Sequence, residues 1–153
     1  SIANAFRAQT CYHMHNASDK LGRLYGLSAA NMVISISEAS TSKIGIIMQE
    51  TKDELYDVCD AMCIGGLTKK KCFSAITDNV KKFIDGEHGL EETAMETEES
   101  VRDLVAGFFA NASSDQRAHI VAMDREFMSF MSELFEKDIS PMRIPIAKQM
   151  ATL

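Results

Sequence analysis

The four cysteines are the feature that most constrains how this chain can fold. Three of them, Cys59, Cys63 and Cys72, lie in one short stretch, and the fourth, Cys11, lies near the start of the sequence. An even number of cysteines in a short chain is typical of a secreted protein with a disulfide framework. We therefore predict a small bundle that is stapled by two disulfides and located outside the cell.

The spacing leaves two disulfide pairings open. A pair of glycines follows Cys63, and a helical hairpin would bring Cys63 and Cys72 together across that bend, leaving Cys11 for Cys59. The exchanged pairing, Cys59 with Cys72 and Cys11 with Cys63, fits almost as well, because residues four apart lie on one helix face. The alternative to both is a set of four reduced thiols in a cytosolic core.

The spacing of apolar residues predicts an all-α protein. Apolar residues recur three and four positions apart, and proline is absent before Pro141, so the strongest helix breaker is missing from most of the chain. This pattern predicts helices over about residues 1–15, 55–62, 68–84, 90–110 and 114–137. We expect Ser113 or Ser114 to cap the last of them and Asp85-Gly86 to end the helix that begins near residue 68.

Residues 32–48 carry a mixed signal. Their β-branched runs are compatible with a hairpin that turns across residues 38–42. We favour a long helix, because the intervening segment lacks the Gly, Asn or Pro residues that tight turns use, and this helix could be the strut on which the others pack.

The length of 153 residues is that of one domain. We predict a bundle of five to six helices over residues 1–138, followed by an extended tail over residues 139–153 that contains Pro141 and Pro145.

Charge and hydropathy exclude two classes of partner. The chain has 16 basic and 22 acidic side chains, a formal charge of −6, which disfavours binding to nucleic acid. Stretches without a charged residue, such as Leu27–Ser37, are far shorter than the roughly 20 apolar residues that a membrane-spanning helix needs.

Catalytic, metal and cofactor motifs are not found. A zinc site built from Cys11, His13, His15, Cys59 and Cys63 lacks the usual Cys-x-x-Cys knuckle. A calcium loop over residues 85–96 would place Leu90 where a glycine is required. The histidines lie in no nucleophile motif, so we predict neither an enzyme nor a cofactor.

Two glycosylation sequons support secretion. Asn16-Ala-Ser18 and Asn111-Ala-Ser113 both precede predicted helix starts, where the asparagine would be at the surface. The same residue types also cap helices, so the motif has a purely structural explanation as well.

Ten methionines and no tryptophan give the sequence an unusually pliable apolar content. The first functional hypothesis is a secreted carrier that binds a lipid-like or other apolar small molecule in a Met- and Phe-lined interior. Its predicted lining is Leu104, Phe108, Ile120, Met123, Phe127, Phe130 and Met131. The alternative is an extracellular protein-interaction or signalling domain, able to self-associate, that uses an acidic helix face or the apolar residues of its tail.

Overall fold

The computed structural model is a bundle of helices described over residues 2–119 and at residue 122, with side chains from Met14 onward. Four long helices follow one another: α1 (Ile2–Glu38), α2 (Thr41–Ala61), α3 (Gly66–Ile84) and α4 (Leu90–Ala110). A fifth helix, α5, begins at residue 114 and is described to residue 119. Residues 2–119 contain no strand, so the all-α prediction is confirmed.

Helix α1 is the central helix of the bundle. Between Ala17 and Val33 its buried residues occur all round the helix, the pattern of a helix that is surrounded by others. The core that forms around it draws on all four long helices, and its largest fully buried side chains are Tyr25, Phe109, Leu21, Leu24, Met32, Leu55, Met62, Ile64, Ile76 and Val58.

Helices α1 and α4 make the closest contact in the bundle. Gly22 of α1 lies against the backbone of Glu98, and Gly26 lies against the backbone of Ala94, so the two helices run antiparallel. A Cβ atom at Gly22 would lie 2.8 Å from the carbonyl oxygen of Glu98, and one at Gly26 would lie 2.7 Å from that of Ala94. Glycine is therefore required at both positions for the helices to approach this closely.

The predicted break after residue 15 is wrong, because α1 continues through residues 16–19. These polar residues are accommodated inside the helix: the Ser18 hydroxyl donates to the Met14 carbonyl oxygen at 3.0 Å, and Asp19 pairs with Arg102 of α4 at 3.1 Å. Ser18 and Asp19 are residue types that commonly cap helices, but here their side chains bond within α1 and to α4.

Residues 32–48 are helical on both sides of a short break, so the hairpin alternative is wrong. Residues 32–38 complete α1, Ala39 and Ser40 interrupt the helix, and α2 starts at Thr41. The predicted strut is therefore α1, and it ends where the chain turns into α2.

Helices α2 and α3 form the predicted hairpin, and α2 and α3 end in the same way. After α2 the amide of Ile64 donates to the Cys59 carbonyl oxygen at 2.9 Å. After α3 the amide of Glu87 donates to the Lys82 carbonyl oxygen at 2.8 Å. Each bond closes a Schellman motif, whose penultimate residue is left-handed. Gly86 (φ 79°) fills this position after α3, as predicted, but Cys63 (φ 58°) fills it after α2.

The structure corrects the disulfide prediction. Cys59, Cys63 and Cys72 are all free thiols, so neither predicted pairing is present; the side chain of Cys11 lies outside the description. The inference failed because α2 ends at Ala61, so Cys63 does not share a helical face with Cys59. Cys59 is buried and lies 3.1 Å from the Tyr25 hydroxyl, whereas Cys63 is exposed.

The predicted tail, residues 139–153, lies outside the described residues, as does the end of the helix predicted to reach residue 137. Among the helices that are described, none has the length and apolar character needed to cross a membrane.

Candidate functional site

An open cleft of about 420 Å³ lies where the first turns of α3 meet the last turns of α4 and the start of α5. Its apolar side chains come from both long helices: Leu67 at the start of α3, and Leu104 and Phe108 near the end of α4. Leu67 is 66% exposed, which is unusual for a leucine, and it forms one wall of the cleft. The site is thus concave and partly apolar, as small-molecule sites commonly are.

The cleft has a firm base on the α4 side. Phe108 packs edge-on against the buried Phe109, with ring centroids 5.9 Å apart. Gly107 also lines the cleft, and a Cβ atom at this position would meet nothing within 4 Å. The room in the cleft therefore depends in part on the missing side chain at Gly107.

A capping box fixes the third wall, the start of α5. The Gln116 amide donates to the Ser113 hydroxyl at 3.2 Å, and the Ser113 amide donates to the Gln116 side-chain oxygen at 2.9 Å. This reciprocal pair satisfies two amides at the helix start and confirms the predicted cap at Ser113. It also holds Gln116 in the wall of the cleft.

Charged and amide groups surround the apolar surface. Lys71 of α3 and Asp103 of α4 line the cleft together with Asn111. The Asn111 side-chain amide donates to the Gly107 carbonyl oxygen at 3.0 Å, which closes the end of α4 beneath the site. The cleft can therefore meet both an apolar chain and a polar end of one ligand.

Two of the seven predicted lining residues, Leu104 and Phe108, meet in this cleft. The other five come after residue 119 in the sequence and lie outside the described residues: Ile120, Met123, Phe127, Phe130 and Met131. Sequence reasoning missed Leu67, which it placed in the loop before α3. The periodicity of α3 gave no reason to expect an exposed leucine in its first turn.

The two predicted glycosylation sites have different surroundings. Asn111 is exposed, directly after α4 and at the cleft, whereas Asn16 is half-buried within α1. A glycan at Asn111 would therefore stand at the mouth of the cleft, and its attachment remains a prediction.

The two buried thiols, Cys59 and Cys72, have low reactivity. Burial raises the pKa of Cys59 and, more strongly, that of Cys72 to about 12. Burial also raises the pKa of Tyr25, whose hydroxyl lies against the Cys59 sulfur. Because the thiolate is the reactive form, Cys59 and Cys72 are not suited to nucleophilic or redox chemistry at neutral pH.

A separate cluster of metal-ligating side chains lies at the start of α4. His88, Glu92 and Glu96 each offer one ligand atom, and these three atoms lie within 4.8 Å of one another. Glu92 and Glu96 are four apart on one face of α4, but His88 lies in the loop before the helix. The spacing in the sequence therefore does not by itself predict this cluster.

Comparisons with protein-family models, with curated proteins and with solved structures find no match for this chain.

Proposed function

We propose that this protein is a non-enzymatic helical binding protein that takes up an apolar small molecule in the cleft between α3, α4 and α5. The proposal is supported by the observation that Leu67, Leu104 and Phe108 line one concave site. Gly107 lies in the same lining, and its missing side chain leaves open space there. Two of these residues were predicted as ligand-binding from the sequence alone.

The size and chemistry of the cleft favour an amphipathic ligand with one anionic end. A volume of about 420 Å³ falls in the range of small-molecule sites, roughly 300–1,000 Å³. Lys71 is placed to meet a carboxylate while the apolar chain lies against Phe108 and Leu67. For decanoate, with about 12 non-hydrogen atoms at about 0.3 kcal/mol each, we expect a dissociation constant of a few millimolar.

The extracellular location is part of this proposal. Its support is now the two sequons alone, because the disulfides that also favoured secretion are not present. Free thiols are typical of a reducing compartment. The proposed ligand site therefore rests on the geometry of the cleft and not on the location of the protein.

The test fills the cleft without loosening the fold. Gly107→Leu places a side chain in the open space, and replacing a helical glycine also favours the helix. The matched control is Gly45→Leu, because Gly45 lies in α2 with nothing within 4 Å of a Cβ atom and outside the cleft. Binding of decanoate is measured by calorimetry and by displacement of a fluorescent anilinonaphthalene dye.

We expect Gly107→Leu to weaken decanoate binding at least tenfold and Gly45→Leu to leave it unchanged. Lys71→Ala should weaken the binding of decanoate by about fivefold, because an exposed ion pair contributes roughly 1 kcal/mol. The same change should leave the binding of neutral decanol unchanged. Equal binding by the wild type and Gly107→Leu would show that the cleft is not the site.

A second candidate function, protein interaction or self-association, is favoured by the outer half of α2, residues 41–54. None of these fourteen residues is buried, although Ile44, Ile46, Ile47 and Met48 lie among them and Ile46 is 58% exposed. Exposed apolar surface on an amphipathic helix is a common docking feature. Sedimentation equilibrium over a range of concentrations tests it, since self-association would raise the mass with concentration.

A further inference from the structure

We propose that His88, Glu92 and Glu96 bind a divalent transition-metal ion, Zn²⁺, at the junction of the α3–α4 loop and the first two turns of α4. This site is distinct from the cleft, and the inference does not depend on the proposed function. It rests on the positions of three side chains and on the unexplained burial of one of them.

The distances are compatible with a metal ion as well as with the ion pair that His88 and Glu96 form without one. The His88 Nε2 atom lies 3.4 Å from the Glu96 Oε2 atom, beyond the usual hydrogen-bond range of about 2.7–3.2 Å. Ligand atoms that bind zinc at about 2.0–2.1 Å in a tetrahedron are separated by roughly 3.3–3.4 Å. Glu92 provides a third ligand atom within 4.8 Å of the other two, which leaves a fourth position for water.

The His88 ring is held in place by the protein, with its Nε2 atom facing Glu96. Its side chain is only 11% exposed, and its Nδ1 atom is buried without a hydrogen-bond partner. The His88 amide donates to the Lys82 carbonyl oxygen at 3.3 Å, which ties the residue to the end of α3. A neutral imidazole binds a metal ion through the lone pair of one ring nitrogen, and Nε2 is the nitrogen that faces the two carboxylates.

The surrounding charge sets the strength of the site. Glu91 adds a further carboxylate beside Glu92, while Arg102, one helical turn and a half beyond Glu96, is paired with Asp19 and Glu98. The amino terminus of α4 opposes a cation, and the Nδ1 atom has no acceptor to orient the ring. We therefore expect micromolar affinity, weaker than that of a structural zinc site.

Calorimetric titration of Zn²⁺ into the full chain without a histidine tag tests the site. The protein carries Cys11→Ser and Cys63→Ser, because thiolates bind zinc on their own and Cys63 is exposed. We expect one equivalent of Zn²⁺ to bind and His88→Ala to weaken it at least tenfold, since even the loss of residues that support ligands costs about 10–100-fold. Glu96→Gln should weaken binding in the same way while keeping the shape of the side chain.

The matched control is His15→Ala. The His15 Nε2 atom lies 3.3 Å from the Asp19 Oδ2 atom on α1, nearly the same separation, but this pair is not part of a three-ligand cluster in the described structure. Zinc binding should survive this change. Absence of binding at about 100 μM Zn²⁺, or binding that His88→Ala and Glu96→Gln leave intact in folded protein, would overturn the proposal.

Discussion

The packed part of α1, residues 17–33, and the outer half of α2, residues 41–54, are both regular helix, yet different forces hold them. Gly22 and Gly26 bring α1 so close to α4 that a single added carbon would collide with backbone oxygens. The outer half of α2 buries no residue; Met48 packs against the edge of the core, and other support is local, such as the Gln49 side-chain amide donating to Asp53 at 2.8 Å. The presence of a helix therefore does not show whether that helix is packed. The same glycine-to-alanine change should lower the free energy of unfolding in the packed part of α1 and raise it in the outer half of α2.

The largest effect is expected at high pH and belongs to the packed region. Burial beneath the bundle raises the pKa of Cys72 from 9.0 to about 12, so the folded state holds a proton that the unfolded state loses. The stabilisation is complete below pH 9, the unfolded value, and disappears as the pH rises towards 12, a loss of up to about 4 kcal/mol. Urea unfolding at pH 8 and pH 11 covers most of this range and should show a loss of about 3 kcal/mol.

The control for the alkaline effect is Cys72→Ala under the same conditions. Its free energy of unfolding should fall less between the two pH values than that of the wild type, although its absolute stability is lower because of the cavity. Equal losses in both proteins would contradict the role of Cys72.

The second effect is the cost of adding one methyl group to the α1–α4 contact. Gly26→Ala should lower the free energy of unfolding by about 1–3 kcal/mol, because its Cβ atom would lie 2.7 Å from the Ala94 carbonyl oxygen and the helices must separate. The midpoint of urea unfolding measures the change. Unchanged or increased stability would show that α1 and α4 do not approach as closely as described.

The same substitution in the outer half of α2 should have the opposite sign. Gly45→Ala has open space around the new methyl group and replaces the residue that, after proline, most disfavours a helix interior, so stability should rise by about 0.5–1 kcal/mol. The pair Gly26→Ala and Gly45→Ala thus compares the two regions with one chemical change. A loss of stability at Gly45 would mean that this face of α2 is covered.

Much of the fold could be predicted where local chemistry decides. The bounds of α4 match the prediction, and so do the Ser113 cap and the glycine after α3, because caps and left-handed glycines are local signals. The continuity of α1 could not be predicted, because Asp19 is satisfied by Arg102 of a helix far away in the sequence.

The residues of the candidate sites could likewise be predicted only where a local pattern in the sequence decides their position. Leu104 and Phe108 were predicted because they belong to the apolar stripe of α4, but the cleft exists only where Leu67 and Gln116 are brought beside them. The disulfide prediction failed for a local and a tertiary reason, since α2 ends before Cys63 and Cys59 lies against Tyr25 of α1. His88 was overlooked because only the α3–α4 loop places it in line with Glu92 and Glu96.

The smallest expected effect on stability is that of Ile46→Lys in the outer half of α2. Ile46 is 58% exposed, so an isolated molecule should change by no more than about 0.5 kcal/mol in its free energy of unfolding. If this face binds a second copy, the same change places a charge in an apolar contact, and sedimentation equilibrium should show the mass returning to that of one chain. A variant that is less stable by several kcal/mol and remains monomeric would show instead that Ile46 packs within the bundle, and the contrast between the two regions would disappear.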